Sequence, residues 1–201
     1  MCAADVAIVD GGGANITSLT NALHRLGARG QLTRDPAVVA DAACAILPGV
    51  GRALPAMRKL DDYGLADAIA ARRKPTLGIC LGMQLLAAGS REDDTSCLGV
   101  FPETAEILPA SSEHPVPNMG WCQTRPQVES PLWDGIDESA WFYFVHSYAL
   151  PVGESCVATS AHAVPFAAAL QSENFFAVQF HPEKSAAAGA RLLANFLGLA
   201  A

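Results

Sequence analysis

Short apolar runs that stop at Gly or Pro, several of them followed by helix-like stretches, set the rhythm of the first half of the chain. Residues 5–9 (DVAIV) read as a strand that leads through Asp10-Gly11-Gly12-Gly13 into a helix over 15–26. Residues 44–47 form a second apolar run, stopped by Pro48-Gly49-Val50-Gly51. Residues 76–79 form a third, entering a glycine-flanked turn and a helix from about 81 to 88. Strands alternating with helices predict a parallel sheet covered on both faces. From about 100 to 170 the pattern changes: Pro, Trp and β-formers are more frequent, and 141–145 and 167–170 read as strands of an antiparallel extension. A last strand over 175–180 (FFAVQF) and an Ala/Leu-rich helix over 186–197 complete the chain. With no repeats, low-complexity tracts or linkers, residues 1–201 are expected to form a single α/β domain with a mostly parallel central sheet flanked by helices.

Composition narrows the function classes. Hydrophobic residues make up 51% of the 201 and charged ones 16%, enough apolar material for one substantial core. The net charge of -7 argues against a nucleic-acid or anionic-membrane surface, which would need clustered Lys and Arg. No apolar run is long enough to cross a membrane, and the start lacks a secretory pattern, so a cytoplasmic setting is expected. The six cysteines (Cys2, Cys44, Cys80, Cys97, Cys122, Cys156) show no CxxC pair, which predicts free thiols and no metal site. The glycines after the first strand do not make a dinucleotide fingerprint, because position 16 is Ile, and no Walker motif occurs.

Candidate chemistry lies at three strand ends. Gly78-Ile79-Cys80-Leu81-Gly82 has the form G-x-C-x-G. Small residues two before and two after a central residue permit a tight strand-to-helix turn, and a helix N-terminus behind a thiol favours thiolate. Alone, this segment fits a core thiol as well as a nucleophile. His181-Pro182-Glu183 follows the last strand, and a carboxylate two residues from an imidazole can set its tautomer, although an exposed strand-end pair would read the same. Pro48-Gly49-Val50-Gly51 is either an ordinary turn or a loop that turns an N–H into a cavity. All three fall at the carboxyl ends of strands expected to be parallel, where open α/β sheets build their sites. His146 has no comparable partner spacing and reads as structural or as part of a substrate loop. His24, His114 and His162 read as surface residues, Trp133 and Trp141 as packing, and Trp121 as an interface residue.

Taken together, GICLGMQLL, PGVG, FYFVHSYA, the P-x-M-G-W segment over 117–121, FHPEKS and AGARLLANFL resemble the class I (triad) glutamine amidotransferase family over nearly the whole chain. The narrower likeness is to the branch that feeds ammonia to a separate (β/α)₈ cyclase making imidazole glycerol phosphate in histidine biosynthesis. The resemblance implies hydrolysis of L-glutamine to glutamate and ammonia, without a cofactor, in a heterodimer with that cyclase. It makes Cys80 the nucleophile, His181 the base and acid, and Glu183 its orienter, with Val50 and Leu81 as oxyanion donors. Gly49, Gly51, Gln84, Glu92, Ser147 and Tyr148 match substrate-holding positions, Glu92 being suited to an α-ammonium. Asn15, Met119, Trp121 and Lys184 match positions at or near the cyclase interface. Two segments depart from the family pattern. Gly11 and Ala14 replace a Tyr and a Gly in the first glycine-rich segment, and Asn118 and Cys122 replace the His and Asn that flank Met-Gly-Trp. Both segments are expected to lie towards the partner face. Rival readings are a glutaminase serving another synthase, a free-standing cysteine amidase or peptidase, and a catalytically silent scaffold of the same fold.

Overall fold

The computed structural model describes residues 5–11 and 16–200. Cys2, Gly12, Gly13, Ala14 and Asn15, the last among the expected interface residues, lie outside them. In chain order, strand β1 (Asp5–Val9), helix α1 (Ile16–Arg25), β2 (Arg29–Thr33), α2 (Pro36–Asp41) and β3 (Cys44–Gly49) come first. Helices α3 (Ala53–Asp62) and α4 (Leu65–Ala70) precede β4 (Thr76–Cys80), α5 (Leu81–Leu86) and β5 (Ala87–Ser90). The middle of the chain is β-rich: β6 (Thr95–Ser96), β7 (Phe101–Ile107), β8 (Asn118–Gln123), β9 (Arg125–Pro126), β10 (Trp141–His146), β11 (Tyr148–Ala149), β12 (Cys156–His162) and β13 (Val164–Ser172). Strand β14 (Phe175–Val178) and helix α6 (Ala186–Gly198) close the fold.

The main sheet has the order β2-β1-β3-β4-β14-β13-β12-β9. Strands β2, β1, β3, β4 and β14 run parallel, and β13, β12 and β9 continue the sheet antiparallel. Side chains alternate across it, as the two-residue period of a strand requires. In β14, Phe176 and Val178 enter one core with Leu19 and Leu23 of α1 and Leu192 and Phe196 of α6. Phe175 and Ala177 enter the other, with Met57 and Leu60 of α3, Ile69 of α4 and Leu85 of α5. A two-stranded sheet, β8 with β10, extends the first core through Phe142 and Phe144. A four-stranded sheet, β11-β7-β5-β6, extends the second through Phe101 and Ala105. Among the described residues no helix is long and apolar enough to cross a membrane.

Three expectations are corrected. The helix after Cys80 ends at Leu86, and Ala87–Ser90 instead pairs with β6 and β7. A Cβ on Gly89 would sit 2.9 Å from the Thr95 carbonyl oxygen, so the glycine permits that close pairing. The last strand stops at Val178 rather than 180. Trp141 is 56% exposed, because β10 buries Phe142, Phe144 and His146 and turns its alternate side chains outward. Trp133, by contrast, packs edge-on against Phe142 at 5.5 Å as expected.

Candidate active site

Cys80 ends β4 and stands at the entry to α5, with φ 55° and ψ -112°. A non-glycine residue in that region stores about 1–3 kcal/mol and persists only where its surroundings hold it. The holding groups are the two glycines. A Cβ on Gly78 would lie 2.7 Å from the Gly82 carbonyl oxygen, and one on Gly82 would lie 1.8 Å from the Leu47 carbonyl oxygen. Strand β4, helix α5 and strand β3 therefore meet at a spacing that only hydrogen side chains allow. The sharp turn lifts Cys80 above the carboxyl edge of the sheet, where it is 6% exposed. The same packing sets Gly49 level with Cys80 in the parallel pairing, and a Cβ on Gly49 would meet Leu81 Cβ at 2.9 Å and Gly82 N at 3.0 Å. The backbone around Val50 and the start of α5 are thus neighbours. Gly51, at φ 93°, turns the chain away towards α3.

His181 follows β14, the strand beside β4, so parallel pairing delivers it to the same edge. Its Nδ1 lies 2.9 Å from Glu183 Oε1, and the two side chains are 7% and 5% exposed. Backbone bonds fix the segment: His181 N donates to Tyr143 O, and Ser185 Oγ donates to His181 O while accepting from Tyr143 N. Burial alone would lower the His181 pKa. Hydrogen bonds to Cys80 and Glu183, reinforced by the negative charge each can carry, outweigh burial and raise it to about 10. A protonated imidazole against sulfur is the arrangement that stabilises a thiolate. The second carboxylate oxygen of Glu183 is buried without a hydrogen-bond partner among the described residues.

A cavity of about 300 Å³ opens over these groups, at the small end of the roughly 300–1,000 Å³ usual for ligand clefts. Cys80, His181, Val50, Gly51, Leu81, Gln84, Glu92, Ser147, Tyr148 and Lys184 all line it, so the structure gathers residues separated by up to 134 positions. Gly49 lies just behind, with Glu183, in a smaller recess. Glu92 enters from a tight turn in which Asp93 and Asp94 also have positive φ. Its Oε2 accepts from Ala53 N at 3.1 Å and its Oε1 is 3.9 Å from Arg52 Nε, which ties it to the start of α3. Met119 (64% exposed) and Trp121 (48%) do not line the cavity. They face outward from β8 beside Tyr143 of β10, whose ring meets Trp121 edge-on at 6.0 Å and carries the Lys184 ammonium at 5.8 Å.

His146 lines the cavity too, but both ring nitrogens are engaged. Nδ1 donates to Tyr148 O at 2.9 Å, and Nε2 accepts from Asn118 Nδ2 at 3.0 Å. Burial, with smaller effects from the charges of His162 and His181, lowers its pKa to about 4 against the raising effect of the Tyr148 carbonyl. It is a neutral structural histidine. Its partner Asn118 is one of the two departures flanking Met-Gly-Trp. Asn118 is 3% exposed and packs inward, and Cys122 Sγ donates to its Oδ1 at 3.6 Å, so neither residue faces outward with Met119 and Trp121. Gly11 is buried as well, its missing Cβ 3.6 Å from Leu60. Cys44, Cys80, Cys97, Cys122 and Cys156 are free thiols.

Sequence reasoning missed Pro117 and Val145 on the cavity wall, and a buried carboxamide against Cys80. Gln179 is fully buried, its Nε2 3.7 Å from Cys80 Sγ and its Oε1 accepting from Gln84 Nε2 at 3.0 Å. The signal was available: a lone carboxamide in the otherwise apolar FFAVQF run needs a partner wherever it is buried.

A strained cysteine at a strand-to-helix elbow, backed by a histidine and a carboxylate, is the arrangement of a cysteine-nucleophile amidotransferase. Residues 7–199 match the family glutamine amidotransferase class-I, and the chain belongs to that family. Relatives named imidazole glycerol phosphate synthase subunit HisH resemble it over almost their full length. The HisH 2 protein of Legionella pneumophila (strain Lens) is 48% identical over 194 residues, spanning 96% of this chain and 98% of the relative. The HisH protein of Escherichia coli (strain K12) is 46% identical over 196 residues, with 96% and 98% covered. That of Vibrio cholerae (strain El Tor Inaba N16961) is 44% identical over 201 residues, with 97% and 98% covered. Two solved structures share the fold at low identity. One, described as a candidate GMP synthase component of Thermoplasma acidophilum, has a TM-score of 0.78 at 18% identity and covers 100% of this chain and 95% of its own. The other, a glutamine amidotransferase, has a TM-score of 0.76 at 20% identity, with 97% and 98% covered.

Proposed function

We propose that this chain is the glutaminase subunit of an imidazole glycerol phosphate synthase, acting in the cytoplasm in histidine biosynthesis and releasing ammonia to a (β/α)₈ cyclase partner. The observation that carries the chemistry is the strained Cys80 set in one cavity with His181, itself held by Glu183 at 2.9 Å. The near full-length likeness to HisH relatives supports the partner and pathway.

In this reading the Cys80 thiolate adds to the carboxamide carbon of glutamine. The oxyanion takes N–H groups of Leu81 and Val50, and His181 protonates the departing ammonia. Water then attacks the thioester with His181 as base, giving glutamate and regenerating the thiol. Glu183 keeps the imidazole in one tautomer and orientation. Gly49, Gly51, Gln84, Ser147 and Tyr148 hold the substrate, and the Glu92 carboxylate receives its α-ammonium. The outward row of Met119, Trp121 and Lys184, with Asn15, meets the cyclase. Trp141 extends that face along β10.

Covalent labelling with a diazoketone analogue of glutamine tests the reading. Stoichiometric modification at Cys80, prevented by excess glutamine, is expected. No modification even with the cyclase bound would instead favour a silent scaffold.

A further inference from the structure

Gln179 directly follows β14, and its backbone N donates to Ala168 O at 2.9 Å, so the alternation of the strand carries on through it. Phe176, Val178 and Phe180 face the core that contains α6, so the residue between the last two faces α5. There its carboxamide lies between the Cys80 sulfur and the Gln84 side chain, with no exposure to solvent.

The orientation of each amide follows from its neighbours. Tyr148 O can only accept, so Gln84 must present Nε2 to it, at 3.0 Å. The same nitrogen reaches Gln179, which must therefore offer Oε1 there. Gln179 Nε2 is left to point at sulfur. The Tyr148 carbonyl is in turn fixed by the His146 Nδ1–H, and His146 by Asn118. Two donors converge on the Tyr148 carbonyl, His146 (itself held by Asn118) and Gln84, and Gln84 also donates to Gln179, whose own N–H is aimed at Cys80.

Besides His181 in the same cavity, Cys80 has the Val145 carbonyl at 3.7 Å. A thiol can donate to that oxygen, but a thiolate cannot. The Gln179 N–H, unlike that carbonyl, is a contact that strengthens when the sulfur becomes charged, because hydrogen bonds to ionised acceptors are the stronger ones.

We infer that Gln179 is a positioning residue for the glutaminase reaction: one end holds the Cys80 thiolate and the other locks the Gln84 carboxamide that faces the substrate. This rests on the function proposed above. Two variants of nearly the same shape separate the two ends. Gln179→Met removes both hydrogen bonds. Gln179→Glu keeps an acceptor for Gln84 but sets a carboxylate against the sulfur.

The test measures glutamine hydrolysis by the chain with its cyclase partner, the thermal transition of each variant, and the rate of iodoacetamide labelling at Cys80. For Gln179→Met, kcat is expected to fall about ten- to a hundredfold, the worth of one hydrogen bond to a charged group, and KM to rise about fivefold from the loosened Gln84. For Gln179→Glu, kcat and the labelling rate should fall further while KM stays within about twofold of wild type. If only one variant folds, its own pattern decides. A folded variant with kcat, KM and labelling rate all within about twofold of wild type overturns the inference, as does a Gln179→Glu variant that raises KM without lowering kcat. If wild type hydrolyses no glutamine with its partner, the proposed function fails. The labelling rate still reports on Gln179, because iodoacetamide needs no substrate pocket.

Discussion

Replacing Gly82 with Ala puts a methyl group where the elbow has no room. The added Cβ would lie 1.8 Å from Leu47 O and 2.8 Å from Leu47 C. Ordinary contact begins at 3.4 Å, so β3 and α5 must part by about 1.6 Å. The obstacle is backbone of a central strand, which cannot swing aside as a flexible side chain could. Overpacking a well-filled core costs about 1–3 kcal/mol, and this site belongs at the upper end. At roughly 2–4 °C per kcal/mol for a chain of this size, the thermal midpoint should drop by about 6–12 °C. Activity should fall further than stability alone explains, because the same movement carries Leu81 away from Val50. A misplacement of about 1 Å can cost on the order of a hundredfold in rate. Circular dichroism melting, paired with glutamine hydrolysis by the partner-bound enzyme, reads both effects. Gly198→Ala is the control: among the described residues nothing lies within 4 Å of its Cβ, at the end of α6, and its midpoint should stay within about 2 °C. A Gly82→Ala protein that melts with wild type and hydrolyses glutamine at the wild-type rate would refute the account of how Cys80 is held.

The two buried histidines predict opposite pH behaviour. His146, lowered to about 4, stays neutral in the fold while the unfolded chain takes up its proton below about 6.5, so folding stability falls as pH drops from 6.5 to 4. Up to about 3 kcal/mol is at stake. Denaturant titrations at pH 7 and 4.5 should show a smaller acid loss for His146→Gln than for wild type, and equal losses would contradict the assignment. His181, raised to about 10, contributes stability that is complete below about 6.5 and is lost as pH rises through 10. The loss between pH 7 and 10 should therefore be smaller in His181→Asn, and an unchanged loss would mean the imidazolium is not held as described. Trp121→Ala, at a position 48% exposed, should weaken cyclase binding measured by titration calorimetry and leave the melting midpoint within about 2 °C. Unfolding of this variant would show that Trp121 packs as core.

The parallel half of the fold was legible because its apolar runs end at punctuation that also makes the site. The runs over 44–47 and 76–79 stop at Pro48-Gly49 and at the G-x-C-x-G turn, and the structure extends each by only one or two residues. Strand β2 (RGQLT) was not legible, since it lies at the sheet edge with mostly exposed side chains and shows no apolar run. The AAGS segment of β5 has the composition of a helix end, and only its pairing with β6 and β7 makes it a strand. Trp141 could have been read correctly, since alternation along WFYFVH separates it from Phe142 and Phe144. Cys80, His181 and Glu183 were legible as candidates because each sits in a local motif. Gln179 and the inward side of Asn118 were not, because their partners lie 28 to 99 residues away and only the β4–β14 and β8–β10 pairings bring them together.

In the proposed function, Cys80 generates the ammonia that a partner consumes. Assembled with a (β/α)₈ cyclase, Cys80→Ala should make imidazole glycerol phosphate at the wild-type rate when supplied with ammonium salt, and none when supplied with glutamine. Glutamine-supported synthesis that survives the substitution, or equal loss with both nitrogen sources, would contradict it.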